Sequence, residues 1–179
     1  MNAFTLPVLG FAAWSGTGKT TLLKQLLPRL KQRGLRVGCI KHAHHTFDVD
    51  IPGKDSYELR HAGATQMLIA SDQRWALMTE EPRSEAPALS ELLQRLDTAQ
   101  LDMVLVEGFK AEHYPKIELY RAVVGKPMRF QDDPAIVAIA TDDPASVPVE
   151  VQLPVLDIND ISAIEAFVCH FCQTYGGQG

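Results

Sequence analysis

The 179-residue sequence predicts an α/β fold, with a mostly parallel sheet, helices on both faces, and an antiparallel hairpin or edge strand as an extension. Three observations carry that expectation. Pro7 to Thr21, PVLGFAAWSGTGKTT, is an apolar run that stops at a small polar loop and passes into a leucine-rich helical pattern. Strand-like runs then alternate with helical periodicities along the chain. One of those runs, Ala135 to Ala140 (AIVAIA), is apolar throughout, as a central parallel strand should be. With 46% hydrophobic and 22% charged residues at this length, a single domain over 1–179 with one real core is expected.

The first strand delivers the loop Ser15-Gly16-Thr17-Gly18, followed by Lys19, Thr20 and Thr21. Strand, glycine loop and helix make a phosphate loop, or P-loop, so the expected sheet is P-loop NTPase-like. Gly16 and Gly18 let backbone N–H groups turn inward around phosphate oxygens, where a Cβ would obstruct. A helix starting near Gly18 points its positive end at the same anion. Lys19 is placed to reach β- and γ-phosphates, and Thr20 to ligate Mg²⁺. The Walker A pattern G-x-x-x-x-G-K-[ST] asks for glycine where this chain has Ala13, which bears on the entry turn and not on the Lys19–Thr20 chemistry.

Leu22, Leu23, Leu26, Leu27 and Leu30 recur at helical spacing, with Gly34 at the position of a C-terminal cap. Pro28 falls inside this helix and is expected to kink or split it. Arg36 to Lys41 reads as a second buried strand. His42 to Lys54, HAHHTFDVDIPGK, is a loop by composition, rich in titratable groups. Asp55-Ser-Tyr-Glu58 resembles a capping box opening a short helix that Gly63 ends. Thr65–Ala70 and Arg74–Thr79 read as a hairpin or two adjacent strands. Leu89, Leu92, Leu93 and Leu96 make a further amphipathic helix. Leu101–Val106 is an apolar strand ending at Glu107-Gly108, and the alternating Lys116–Tyr120 reads as an edge strand. Val151–Leu156 is a last short strand. Ser162-Ala-Ile-Glu165 reads as a capping box for a helix burying Ile164, Phe167, Val168, Phe171 and Tyr175.

In parallel α/β sheets ligands sit beyond the carboxyl ends of the strands, where the phosphate loop, the histidine loop, Glu107 and Asp142 all fall. Glu107 closes its strand as the carboxylate holding Mg²⁺, or its water, does in such folds. Asp102, at the start of that strand, reads as structural. Asp48 and Asp50 lie on one side of an extended segment, where either could orient water or reach the ion. Asp142, after the AIVAIA strand, is a candidate acceptor for guanine N1 and N2, although the chain has no N-K-x-D motif. His42, His44 and His45 do not converge by themselves in an extended loop, which favours phosphate or partner contacts over a transition-metal site. Cys169-His-Phe-Cys172 lies in an amphipathic helix without a second C-x-x-C, so core packing is expected there.

AAWSGTGKTTLL, IKHAHHTFDVDIPGKDSYELRHAGA, RWALMTE and LVEGFK together resemble the molybdopterin-guanine dinucleotide biosynthesis adaptor (MobB) family, over nearly the whole chain. The resemblance implies a cytoplasmic, homodimeric protein that binds GTP and Mg²⁺ and has weak GTPase activity. It implies partnership with the molybdopterin nucleotidyltransferase, which attaches GMP to molybdopterin, and with other molybdenum cofactor biosynthesis proteins. The family's phosphate-loop roles carry over onto Gly16, Thr17, Gly18, Lys19, Thr20 and Thr21, and its carboxylate roles onto Asp48, Asp50 and Glu107.

Two other classes fit parts of the sequence. A metal-insertion GTPase would use the His42–His45 loop. A small-molecule kinase would need lid arginines, and Arg121 and Arg129 do not cluster as a lid does. A net charge of −5 without a densely basic stretch argues against a nucleic-acid partner. No apolar run reaches membrane-spanning length, and the N-terminus lacks the basic region of a signal peptide. Three cysteines, an odd number, fit a reducing cytoplasm.

Overall fold

The computed structural model describes residues 4–43, 47–83 and 85–175. These group into two compact units, Met1–His42 with Ala88–Gly179, and Ala43–Pro87.

The first unit is built on a six-stranded sheet in the order β2-β5-β1-β6-β7-β8. Its strands are β1 (Val8–Ala13), β2 (Val37–Lys41), β5 (Met103–Glu107), β6 (Lys116–Tyr120), β7 (Ile136–Thr141) and β8 (Val155–Asp157), and every pairing is parallel. Parallel strands buried on both faces must be apolar on both, and β1 and β5 are. Leu9, Phe11, Met103 and Leu105 face α1 (Lys19–Gln32) and α4 (Ile161–Tyr175). Val104 and Val106 face the short α3 (Leu89–Leu93) on the other side. Helices therefore cover both faces.

Three sequence expectations change here. Lys116–Tyr120 is not an edge strand: β6 lies between β1 and β7. Its alternating charges suggest a solvent face, yet Lys116 is 2% and Glu118 1% exposed. Lys116 Nζ donates to the Glu112 carbonyl at 2.7 Å and Asp133 Oδ2 at 3.0 Å. Glu118 accepts from the Arg129 and Phe130 backbone N–H groups at 2.6 and 2.9 Å. Buried ions are tolerated where their partners are in place; loop 121–135 supplies all of them but the Glu112 carbonyl.

Pro28 does not split α1, which runs unbroken with Pro28 inside it. Pro28 and Lys24 are exposed, so the carbonyl that Pro28 leaves without its helical donor is on a residue open to water. Neither capping box forms. Lys54 precedes α2 (Asp55–His61) with no side-chain cap, and Ser56 Oγ donates to Asp50 instead. At α4, Asp160 Oδ1 accepts from the Ser162 and Ala163 N–H groups at 2.9 and 3.2 Å, so Asp160 caps the helix. Glu165 turns to Arg29 and Arg33 of α1, at 3.0 and 2.7 Å, and ties the two helices together.

The second unit contains α2 and a two-stranded antiparallel sheet, β3 (Gln66–Ala70) with β4 (Trp75–Thr79), as the hairpin reading expects. Arg60 organises it, with its side chain 9% exposed and paired to Asp48 and Glu80.

Candidate functional site

The carboxyl edge of the sheet is set by register. Phe11 and Lys41 pair with Glu107, Ala13 with Leu119, and Tyr120 with Thr141. Loops leaving β1, β2, β5, β6 and β7 therefore rise from one line of residues.

The loop after β1 is a glycine cradle. Ala13 is the last residue of β1, and no positive φ is needed there, because Phe109 is the one non-glycine with positive φ among the described residues. The alanine in the Walker A pattern thus imposes no strain. The left-handed positions are Gly16 (φ 86°) and Gly18 (φ 94°). An added Cβ at either would meet nothing within 4 Å, so backbone hand, not space, selects glycine. Thr17 is buried, and its Oγ1 donates to the Trp14 carbonyl at 2.9 Å, closing the turn.

Gly18 stands at the N-cap of α1 with no side-chain cap, and the first turn holds no acidic residue. The first amides of α1 thus keep their donor capacity and the positive end of the helix dipole. Ser15, Thr20 and Thr21 are exposed at this end. Lys19 Nζ lies 3.4 Å from Glu107 Oε1, and Lys41 Nζ lies 3.6 Å from Glu107 Oε2. The Glu107 carboxylate thus lies between two ammonium groups at the loop's mouth. Its oxygen and the Thr20 hydroxyl are donors of the kind Mg²⁺ prefers.

Asp142 also reaches the loop, through an intermediary. Arg121 donates from Nε to the Thr17 carbonyl at 3.2 Å, from Nη1 to Asp142 Oδ2 at 3.1 Å, and from Nη2 to Asn159 Oδ1 at 2.9 Å. Asp142 Oδ1 further accepts from the Ala122 N–H at 3.3 Å. Arg121 follows β6 directly and braces the phosphate loop from outside. Sequence reasoning weighs Arg121 only as a kinase lid residue. A cation at the carboxyl end of an interior strand is the signal that marks it, once β6 is known to be interior. Lys41, at the end of β2, escapes sequence reasoning in the same way.

Asp48 and Asp50 belong to the second unit. Asp48 Oδ1 accepts from the Asp50 N–H at 3.0 Å and from Arg60 at 2.6 Å. The Asp50 N–H, and after it Arg60, hold the Asp48 carboxyl below the usual carboxylate range. Asp50 Oδ1 accepts from the Ile51 N–H and Ser56 Oγ at 2.9 and 3.0 Å. Asp50 is 10% exposed at its side chain and Asp48 is 38%, so Asp48 is the more available of the two.

His42 follows β2, with its ring 4.9 Å from that of Phe109, while His44 and His45 lie outside the described residues. Among the described residues no group of three or more His, Cys, Asp or Glu is placed to hold a metal. Cys172 is buried and Cys169 half-buried, and burial pushes both thiols up, as core packing predicts. Among the described residues no helix is long and apolar enough to cross a membrane.

Comparison with known proteins agrees with this architecture. Residues 8–142 match the family described as "Molybdopterin guanine dinucleotide synthesis protein B", MobB. The molybdopterin-guanine dinucleotide biosynthesis adapter protein of Escherichia coli (strain K12) is 53% identical, over 96% of this chain and 97% of that protein. The protein of that name from Haemophilus influenzae (strain ATCC 51907 / DSM 11121 / KW20 / Rd) is 43% identical, over 96% and 93%. The fold is shared with a crystal structure of Bacillus subtilis MobB, at TM-score 0.72 and 23% identity over 92% of this chain and 97% of that one. It is shared too with the MobB homolog from Bacillus stearothermophilus, at TM-score 0.68 and 24% identity over 93% and 98%. The phosphate loop thus sits within a match that runs through nearly the whole sequence, and the chain belongs to the MobB family.

Proposed function

We propose that this chain is a GTP-binding adaptor with weak GTPase activity. It assists the nucleotidyltransferase that attaches GMP to molybdopterin, giving the guanine dinucleotide form of the molybdenum cofactor. The observation that carries the reading is the cradle of Gly16 and Gly18 with Lys19 drawn to Glu107 at its mouth, in a chain of this family. Backbone N–H groups and Lys19 hold the phosphates, and Ser15, Thr17 and Thr21 complete the loop. Thr20 and Glu107, with Asp50 or Asp48, are the candidate Mg²⁺ ligands, and the ion would neutralise phosphate charge there. Asp48 or Asp50 is the candidate for orienting water, and Asp142 for recognising guanine.

Slow turnover has support in the site itself. Arg121, bonded to the loop, is committed to Thr17, Asp142 and Asn159, and so is not free to act as an arginine finger. A homodimer is supported by the second unit's hairpin, where Leu68, Ile69, Trp75 and Leu77 are exposed. A two-stranded sheet with an open apolar surface gains from association. A biosynthetic role and the three cysteines, all unpaired, support function in the cytoplasm.

The test is capture of partners from cell extract by wild type and Lys19→Ala, each with and without GTP. Wild type is expected to retain a molybdopterin nucleotidyltransferase in a GTP-dependent way, and Lys19→Ala to lose both GTP binding and that dependence. Unaltered GTP affinity in Lys19→Ala contradicts the assignment of the loop.

A further inference from the structure

The loops that leave β1, β6, β7 and β8 stand side by side at the carboxyl edge of the sheet, because those strands are neighbours in that order. One side chain joins them. Arg121, the residue after β6, directs Nε to the Thr17 carbonyl, Nη1 to Asp142 and Nη2 to Asn159. These acceptors belong to the loops after β1, β7 and β8. A guanidinium is planar, with its donors in a fixed fork, so three simultaneous bonds hold the three loops in register as a flexible ammonium cannot.

The bond to the phosphate loop falls on one peptide. The Thr17 carbonyl belongs to the Thr17–Gly18 peptide, whose N–H is that of Gly18. A peptide is planar and trans, so with its carbonyl turned to Arg121 the Gly18 N–H points the opposite way. That N–H has no hydrogen bond among the described residues. The peptides on either side have anchors of their own. The Thr17 N–H donates to the Trp14 carbonyl at 3.3 Å, and the Gly18 carbonyl accepts from the Leu22 N–H at 3.0 Å. Between them, Gly18 has no Cβ and sits at φ 94°, so the backbone itself does little to resist rotation of the plane. The bond from Arg121 supplies the restraint. Asp142 steadies Arg121 in turn, with Oδ1 also accepting from the Ala122 N–H at 3.3 Å. A carboxylate has about four lone-pair sites, so Asp142 keeps acceptor capacity for a further donor.

We propose that Arg121 is a positioning residue for nucleotide binding. It presets the Thr17–Gly18 peptide so that the Gly18 N–H meets a phosphate, and it couples that cradle to Asp142 at the base end of the site. The inference rests on the nucleotide reading of the loop. A bridge that served only the fold would leave ligand affinity in the folded protein unchanged.

Isothermal titration calorimetry on the full chain with Mg²⁺ compares GTP with inorganic tripolyphosphate, which has the phosphates and no base. Arg121→Ala is expected to weaken both about tenfold, as loss of a preset donor implies. Arg121→Lys keeps the charge without the fork and is expected to lose nearly as much. For Asp142→Ala the two explanations differ in sign. If charge alone matters, removing a carboxylate tightens tripolyphosphate binding. If positioning matters, loosening Arg121 weakens it by about threefold. In the Arg121→Ala background the same change is expected to cause no weakening. Full affinity in Arg121→Lys overturns the proposal, as does tighter tripolyphosphate binding in Asp142→Ala. Should Arg121→Ala fail to fold, these two variants carry the test. GTP binding that is the same in wild type and Arg121→Ala refutes this inference alone, whereas a wild type that binds neither ligand refutes the nucleotide reading beneath it.

Discussion

Gly10 sits in the middle of β1, and its lack of a side chain is a packing requirement that can be measured. A Cβ built there would lie 2.5 Å from Tyr114 Cε2 and 2.9 Å from its Oη. Tyr114 is 8% exposed, and its hydroxyl donates to the Gly108 carbonyl at 2.7 Å, one residue past Glu107. Gly10→Ala must therefore push the ring off the sheet and loosen the turn that follows the site carboxylate. Overpacking costs about 1–3 kcal/mol and the lost hydrogen bond about 1 kcal/mol more. At about 2–4 °C per kcal/mol for a chain of this length, the melting temperature should fall by about 4–16 °C. Thermal unfolding followed by circular dichroism measures this. A double-mutant cycle with Tyr114→Ala isolates the cause, because removing the ring should make the added methyl nearly free. The coupling should be about 1–3 kcal/mol. Costs that add to within about 0.5 kcal/mol refute the clash.

Two further outcomes follow from buried and bridging carboxylates. Glu118→Ala leaves the Arg129 and Phe130 N–H groups without their acceptor, at about 1–3 kcal/mol each, and Glu118→Gln should cost about half the total, read as shifts in urea midpoint at constant slope. Asp102 is gripped by the Arg36 side chain at 2.7 and 3.1 Å and by the Arg36 N–H at 2.8 Å, which lower its carboxyl to about 2. A depressed folded-state value means stability that is present above pH ~4 and lost as pH falls toward ~2. The side chain is 32% exposed, so solvent screening reduces the amount to about 1 kcal/mol. Asp102→Asn should lose that stability at neutral pH and show a correspondingly flatter acid limb, and matching acid limbs in the two proteins would sink the assignment.

The fold and the phosphate loop are legible because their causes are local. Apolar runs, helical spacing and Gly16-Thr17-Gly18 act over a few residues, and β1, β2, β5 and α1 emerge where the periodicity puts them, whereas the strand expected over Val151–Leu156 covers only Val155–Asp157 and Tyr175, expected in the core, is exposed. What misleads is the partner that arrives from far away. Lys116 and Glu118 alternate with Ile117 and Leu119 as on a half-exposed strand, because sequence cannot show that loop 121–135 will satisfy both ions inside. Ser162 and Glu165 have the spacing of a capping box. Asp160 outcompetes Ser162 for the free amides, and Glu165 finds two arginines on a helix more than a hundred residues earlier. Arg121 contacts Thr17 across a separation of 104 residues, and no local pattern announces that contact.

The same distinction explains how an imperfect Walker A sequence keeps its geometry. The first glycine of that pattern matters only if the backbone must turn left at that point. Here Ala13 is still in the strand, hydrogen-bonded in register with Leu119 and packed into the core beside α1. The turn begins one residue later, at Trp14, whose carbonyl receives both the N–H and the hydroxyl of Thr17 at 3.3 and 2.9 Å. Left-handed conformations are needed only at Gly16 and Gly18, where the chain has glycine. Alanine at position 13 exchanges backbone freedom the loop does not use for a methyl group that the core does. Trp14 is then carried out at the strand's end, to pack under Arg129 beside the phosphate loop.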